Sequence, residues 1–372
     1  MPTADAETTA VTTKKPLYEA STQFKHWRYS PESLADVRSK LNEAAVAVIR
    51  QTFEAYEPGS SANVLFLNAG EEHLLVTFYV TRITQLCGHF RFPEEVEATA
   101  ATYLKRFYLK NTVMDWHPKN VMWDIQFQER LTALFLATKT TNNPISLEAY
   151  THNIPNTNPS DVLDLEFLVA QSLGFEFSVW HAHRALWGIW LDIQALDGVP
   201  TDFAKTQTSL YDTALNYVRA SRLTDAEFIY TPSQIALAAF SLAAPEIAQQ
   251  WLKSKQAVSE SNPSSPTQIP PGILGSLEFI KGLIVNAGQP PETEAVREVD
   301  RRLRLCKNPE KVVGSKAYLA RKAEQEKKAE EKRNRKAMEV EKAAAEGVDP
   351  FGDELERPKI SLVDYDDDDD DD

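Results

Sequence analysis

Apolar residues recur along this chain at intervals of three and four, the period of a helix rather than of a strand. Leu34, Val37, Leu41, Ala45 and Val48 follow this spacing behind Ser30 and Pro31, a cap and a first-turn proline. Leu74, Leu75, Phe78, Ile83 and Leu86 give the apolar side of a second helix. Val96, Ala100, Leu104 and Phe107 give that of a third. That third helix opens on Pro93 and glutamates, as the positive end of a helix prefers, and is expected to end near residues 115–118. Two segments then break the amphipathic pattern. "LTALFLATK", 131–139, is apolar nearly all round, and between Ile235 and Ala244 only Ser241 is polar. Neither approaches the ~20 apolar residues that span a bilayer, so each must be surrounded by protein. The second starts sharply: Thr231 caps, Pro232 takes the first helical position, and Gln234 can close a capping box.

These two segments organise the rest. Each is the third helix of a set of five, the first set closing with "DVLDLEFLVAQSLGF" and the second running from "VWHAHRALWGIWLDIQAL" to "GILGSLEFIKGLIVNAG". No alternating β-branched run suggests a sheet. The predicted fold is all-α: two tandem five-helix repeats with flanking N- and C-terminal helices. Four helices of each repeat wrap the apolar fifth, and small residues (Ala236, Ala238, Ala239, Ala243, Ala244) let neighbours approach closely. The boundaries fall at 17–58 for an N-terminal extension, 59–177 for the first repeat and 178–289 for the second. Residues 290–314, with Val296, Val299, Leu303 and Leu305, are expected to pack on the body. Residues 315–346 read as a charged, solvated helix with Glu324–Lys328 and Glu331–Arg335 pairs and no leucine seam. The polar ends, 1–16 and 347–372, are expected to be disordered.

Composition narrows the function. The 372 residues are 42% hydrophobic and 25% charged, enough for a core without staples. Cys87 and Cys306 are far apart, which suits a reducing compartment and gives neither a disulfide framework nor a metal spacing. The first residues lack an apolar signal region and no segment reads as a membrane span, so an intracellular protein is expected. A net charge of −14, much of it in the run Asp366 to Asp372, argues against binding a nucleic-acid backbone. That run also lacks the glycine turn and final glutamate of an EF-hand. No phosphate loop, nucleophile elbow or zincin helix occurs. His181 and His183, two apart, are expected on different sides of a helix, a poor metal spacing. Trp180, Trp187 and Trp190 read as core and interface area. Neither a catalytic residue nor a cofactor nor a metal is expected.

Three longer stretches carry a family resemblance. "TYLKRFYLKNTVMDWHP" (102–118), "LTDAEFIYTPSQIALAAF" (223–240) and "KHWRYSPE" (25–32) closely resemble the cyclin H family, over about residues 18–310. The resemblance implies two cyclin boxes and a regulatory subunit without activity of its own. Its implied partners are a cyclin-dependent kinase and a RING-finger assembly factor, which together form the CDK-activating kinase, and the TFIIH core. Its implied setting is the nucleus, in transcription and the cell cycle. It further implies that Lys139 and Glu166 hold the kinase αC helix. Phe107, Tyr108 and Phe135 are secondary interface candidates with an equal claim to the core. Read without the family, Lys139 is a solvated cation at a helix C-terminus and Glu166 an exposed-face residue. The sequence departs from the family pattern in three places. Residues 119–130 make the stretch after Pro118 longer, as a helix extension or an inserted loop. "KTTNN" lacks an acidic residue after the lysine. "EEHLLVTFYVTRI" lacks the substrate-docking patch of cell-cycle cyclins. Competing readings are a cyclin of the C or K type and a TFIIB-like promoter factor.

Overall fold

The computed structural model describes residues 16–118, 132–152, 159–196, 203–261 and 273–345. The expectations for 1–15, 119–130 and 346–372 lie outside them. Every regular element among the described residues is helical, as the apolar spacing predicts. In order these are α1 (Thr22–His26), α2 (Pro31–Tyr56), α3 (Ala69–Phe90), α4 (Glu94–Phe107), α5 (Thr132–Thr140), α6 (Leu147–His152), α7 (Pro159–Ser172), α8 (Ala182–Gln194), α9 (Phe203–Ser221), α10 (Ala226–Ile229), α11 (Pro232–Ala243), α12 (Pro245–Ser261), α13 (Ile273–Ala287), α14 (Thr293–Cys306) and α15 (Lys316–Ala345). None is long and apolar enough to cross a membrane.

The chain divides into two compact units, Met1–Asn308 and Pro309–Asp372. The larger unit holds two main hydrophobic clusters. One gathers α3, α4, α5 and α7, and α14 adds Val296, Val299, Leu303 and Cys306 to it. The other gathers α8, α9, α11, α12 and α13. The two apolar segments sit where their composition requires. Thr132 to Thr138 are buried without a break in α5, and Ile235 to Ser241 likewise in α11. The capping box closes at α11: Thr231 Oγ1 accepts from Gln234 N, and Gln234 Oε1 accepts from Thr231 N at 2.9 Å. A box also starts α2, between Ser30 and Ser33.

Two local expectations change. The buried seam of α2 runs through Leu34 and Ile49, whereas Val48 is 58% exposed. Spacings of four carry the stripe from Ala45 to Ile49, and Val48 falls one position off it. The helix opened by Pro93 stops at Phe107 and the chain continues as turns. Apolar spacing does not anticipate the burial of every residue from Val96 to Leu109, through α4 and the turn after it. That run includes charged residues, so a hydrophobicity count cannot find it.

These charges tie α4 to the second cluster. Lys105 Nζ donates to the carbonyls of Arg222 (3.1 Å) and Thr224 (2.6 Å). Glu227 Oε1 stands 2.7 Å from the same nitrogen as an ionic contact outside hydrogen-bond angles. Glu94 and Glu97 pair with Arg222, and Glu94 also with Arg219. Arg106 stacks over the Trp27 ring at 4.8 Å. The N-terminal segment crosses the same boundary, with Arg38 gripping Asp225 through two 2.7 Å bonds. Directional contacts that are largely buried thus join the two repeats.

This cluster sets an acid limit on stability. Burial, then the charge of Arg38, pushes His73 down to about 4. Burial works to raise Asp225, but the Arg38 hydrogen bonds and nearby positive charge prevail and leave it at about 2. A histidine held neutral when folded takes up a proton more readily when unfolded, near pH 6.5. Its stabilisation is complete above that pH and lost as pH falls to about 4. The Asp225 contribution is lost later, between the usual carboxylate value of about 3.9 and about 2. The urea midpoint is therefore expected to fall from pH 6.5 downward, and His73→Gln is expected to flatten part of that slope. An unchanged pH profile in the variant would place the titration elsewhere.

The smaller unit is dominated by α15, whose long side chains lie in solvent. The expected Glu324–Lys328 pair forms at 3.5 Å. Glu331 pairs with Lys327 at 3.9 Å and Arg335 with Glu339 at 3.8 Å. Exposed i,i+4 pairs of this kind contribute only about 0.3–0.5 kcal/mol each.

Candidate functional site

In the first repeat the C-terminal end of α5 lies against the middle of α7. Lys139 sits in the last turn of α5, where the negative helix end favours a cation. Glu166 projects from the middle of α7 and forms an ion pair with the Lys139 ammonium. The same ammonium lies over the Phe135 ring, 5.2 Å from its centroid. The lysine side chain is 46% exposed and the glutamate 17%. A pair this open contributes at most about 1 kcal/mol to folding, so stability alone does not account for it.

Its surroundings are unusual for a solvated surface. Leu163 and Phe167 flank Glu166 at helical spacing on the same face, 49% and 60% exposed. Phe175 adds a third large apolar side chain, 55% exposed, with its ring edge-on to Phe167 at 6.1 Å. The chain turns there because Gly174 and Phe175 both have positive φ, and Phe175 N closes the helix end on the Ala170 carbonyl at 3.0 Å. A charged pair inside an exposed apolar patch marks a surface built to be covered.

Tyr103 holds the two sides of the patch together. Its buried hydroxyl donates to the Phe177 carbonyl at 2.7 Å and lies 3.0 Å from the Thr140 hydroxyl. Burial pushes its pKa up to about 12, so it stays a neutral donor.

The sequence-predicted residues divide into two groups. Lys139, Glu166 and Phe135 come together. Phe107 has no exposed surface, and Tyr108 is buried with its hydroxyl bonded to the Trp116 carbonyl at 2.8 Å. Phe107 and Tyr108 thus occupy the core, and Phe135, 5% exposed, is also a core residue, reached from the surface by the Lys139 ammonium over its ring. Sequence reasoning missed Phe175 and the exposure of Leu163 and Phe167. The glycine before Phe175 is the one signal that could have marked it.

Other chemistry is sparse. No group of metal-ligating side chains occurs among the described residues. Contrary to expectation, His181 and His183 are neighbours: their rings stack at 5.2 Å with planes 19° apart. His181 is the cap before α8, in extended backbone, so helical spacing does not separate them. Burial, first of all, holds both below the usual histidine range, and His181 Nε2 bonds Thr99 at 2.9 Å. Trp190 is buried, whereas Trp180 and Trp187 are open to solvent.

Comparison with known proteins agrees with this architecture. Residues 181–285 match the cyclin C-terminal domain. The chain is 30% identical to cyclin mcs2 of Schizosaccharomyces pombe over 83% of its own length and 91% of that protein's. It is 31% identical to a putative cyclin-H of Dictyostelium discoideum, over 60% of this chain and 75% of that one. Its fold is similar to a chain in the CAK complex from Chaetomium thermophilum bound to ATP-gamma-S. There the TM-score is 0.69 at 28% identity, over 83% of this chain and 94% of that chain. Two all-helical repeats with solvent-excluded third helices, and relatives matched over most of their length, lead to one conclusion: this chain belongs to the cyclin H family.

Proposed function

We propose that this chain is the regulatory cyclin subunit of a CDK-activating kinase, and that it activates the kinase by docking its αC helix on the face around Lys139 and Glu166. The observation that carries the reading is the open ion pair set among Leu163, Phe167 and Phe175. Kinase activity needs an ion pair between a lysine on strand β3 and a glutamate on αC. A surface that binds αC only in its inward position shifts that equilibrium without chemistry of its own. Moving a two-state element from 1:99 to 99:1 takes about 5.5 kcal/mol. Leu163, Phe167 and Phe175 are about half exposed, so covering the remainder contributes roughly half of the 1.5–3 kcal/mol of a full burial each, about 2–4 kcal/mol together, a large part of that requirement. Lys139 and Glu166 add direction, because a cation and a carboxylate can each bond backbone groups of a docked helix.

The family further suggests a RING-finger assembly factor as a third subunit, association with the TFIIH core, a nuclear setting and no direct nucleic-acid contact. Reconstitution with a cyclin-dependent kinase tests the central reading: saturable activation is the expected result. Failure to activate, together with duplex binding that weakens steeply with salt, would favour the promoter-factor alternative.

Tyr103 supplies a separate check on the docking face. Tyr103→Phe removes the bond to the partly buried Phe177 carbonyl, at a cost of about 1 kcal/mol. The chain is expected to stay folded and to need a severalfold higher concentration for half-maximal kinase activation, with the saturated rate unchanged. A lowered saturated rate at equal affinity would contradict a positioning role.

A further inference from the structure

We propose that a basic cluster on α15, formed by Lys332, Arg333, Arg335 and Lys336, is a docking surface for the chain's own terminal run, Asp366 to Asp372. The cluster puts four cations into five residues, "KRNRK". Arg333, Arg335 and Lys336 are exposed. Arg333 and Lys336, three apart and so on one side of the helix, pair with no carboxylate among the described residues. Arg335 has Glu339 at 3.8 Å, too far for a hydrogen bond.

The helix as a whole is out of balance. It carries ten basic and six acidic residues, the largest positive excess of any helix among the described residues. Lys328, Lys332 and Lys336 recur at intervals of four, a spacing at which like charges weaken a helix. An acidic strand laid along the cluster offsets that repulsion.

Charge and chain length select the occupant. Residues 1–315 carry 28 basic and 35 acidic residues, so they hold no net positive excess for an acidic run. Residues 346–372 carry two basic and thirteen acidic residues, seven of them in the terminal run. From Lys336 to the helix end at Ala345 is roughly 14 Å. Residues 346–365 then lead to Asp366, and a flexible chain of that length spans roughly 25 Å, enough to return to the cluster. Gly347 and Pro350, just past the helix, are residue types that stop a helix. The tether holds the run at an effective concentration on the order of millimolar, so individually weak contacts suffice. An anionic macromolecule reaches the cluster only by displacing the run.

The test is resonance energy transfer within the full chain, with dyes on Ala329→Cys and Asp372→Cys. Both native cysteines are buried, which directs labelling to the new ones. Transfer is expected to be high at about 0.02 M salt and to fall at about 0.5 M, as the screening length shrinks from roughly 20 Å to roughly 4 Å. An undocked acidic tail responds with the opposite sign: screening relaxes its self-repulsion, its ends approach and transfer rises. Replacing all four cations (Lys332→Gln, Arg333→Gln, Arg335→Gln, Lys336→Gln) is expected to reverse the salt response, and Arg333→Gln with Lys336→Gln to flatten it. Glutamine keeps helix propensity, and circular dichroism checks that helix content persists. Transfer that rises with salt in the chain with its cluster intact, or a salt response unchanged by the fourfold variant, would overturn the proposal. So would a loss of transfer on adding excess unlabelled chain, which would make a second copy the partner.

Discussion

Lys139→Glu abolishes kinase activation and leaves the chain folded: this is the result expected if the α5–α7 face docks the kinase. The folded state loses little, because the lysine is half open to solvent and its pair with Glu166 contributes at most about 1 kcal/mol. The new carboxylate would face Glu166 and the electron-rich face of Phe135, a repulsion that solvent largely screens. A small downward shift of the urea midpoint follows. The bound state loses much more. Covering the patch removes water from a like-charged pair and leaves the docked helix without its cation. Truncating one partner of a buried interfacial charge contact costs about 2–5 kcal/mol, or roughly 30-fold to several thousand-fold in affinity. Titrating the reconstituted kinase with wild-type and variant chains, beside urea melts of each, measures both halves. Unchanged activation by Lys139→Glu and by Glu166→Ala would place the docking surface elsewhere.

Lys105→Met is expected to give the largest loss of stability. The ammonium is nearly sealed from solvent, with the Arg222 and Thr224 carbonyls and the Glu227 carboxylate around it. The Phe228 ring lies 5.1 Å away. Methionine restores most of the volume but no donor. Two carbonyls then lose a partner, and Glu227 keeps, among the described residues, its bond from Thr102 at 2.8 Å. Breaking a buried pair from one side costs about 3–5 kcal/mol, a large part of the 5–15 kcal/mol that typically holds a domain together. Adding Glu227→Gln is expected to restore part of the loss, because the orphaned charge is then gone. Urea unfolding of the single and double variants decides the matter. A Lys105→Met midpoint within experimental scatter of wild type would mean that Glu227 is hydrated and that the Lys105 contacts contribute nothing to joining the repeats.

The sites behind these two predictions differ in how far the sequence reveals them. Lys139 and Glu166 were legible only through the family resemblance. Read from local chemistry, Lys139 is an ordinary cation at a helix end, and nothing in the segment says that the end of α5 meets the middle of α7. Lys105 was not legible at all. It lies in a helix with a normal amphipathic pattern, and its burial follows from a second repeat that lies more than a hundred residues further along the chain. His181 and His183 make the same point: two-residue spacing separates side chains only inside a helix, and His181 lies just outside one.

What the sequence determined by itself was everything set by short-range physics. Helical periodicity, the Thr231–Gln234 and Ser30 caps, the helix-only character of the described residues and the burial of the two apolar segments follow from residues within a few positions of one another. The tertiary structure decided what depends on distant partners: the burial of a charged α4, the meeting of Lys139 with Glu166, and the exposure of Phe167 and Phe175. The reason is physical. Local backbone preferences and the hydrophobic effect act on each segment whatever surrounds it, whereas the fate of a charge or an exposed ring is set by which groups the fold brings beside it.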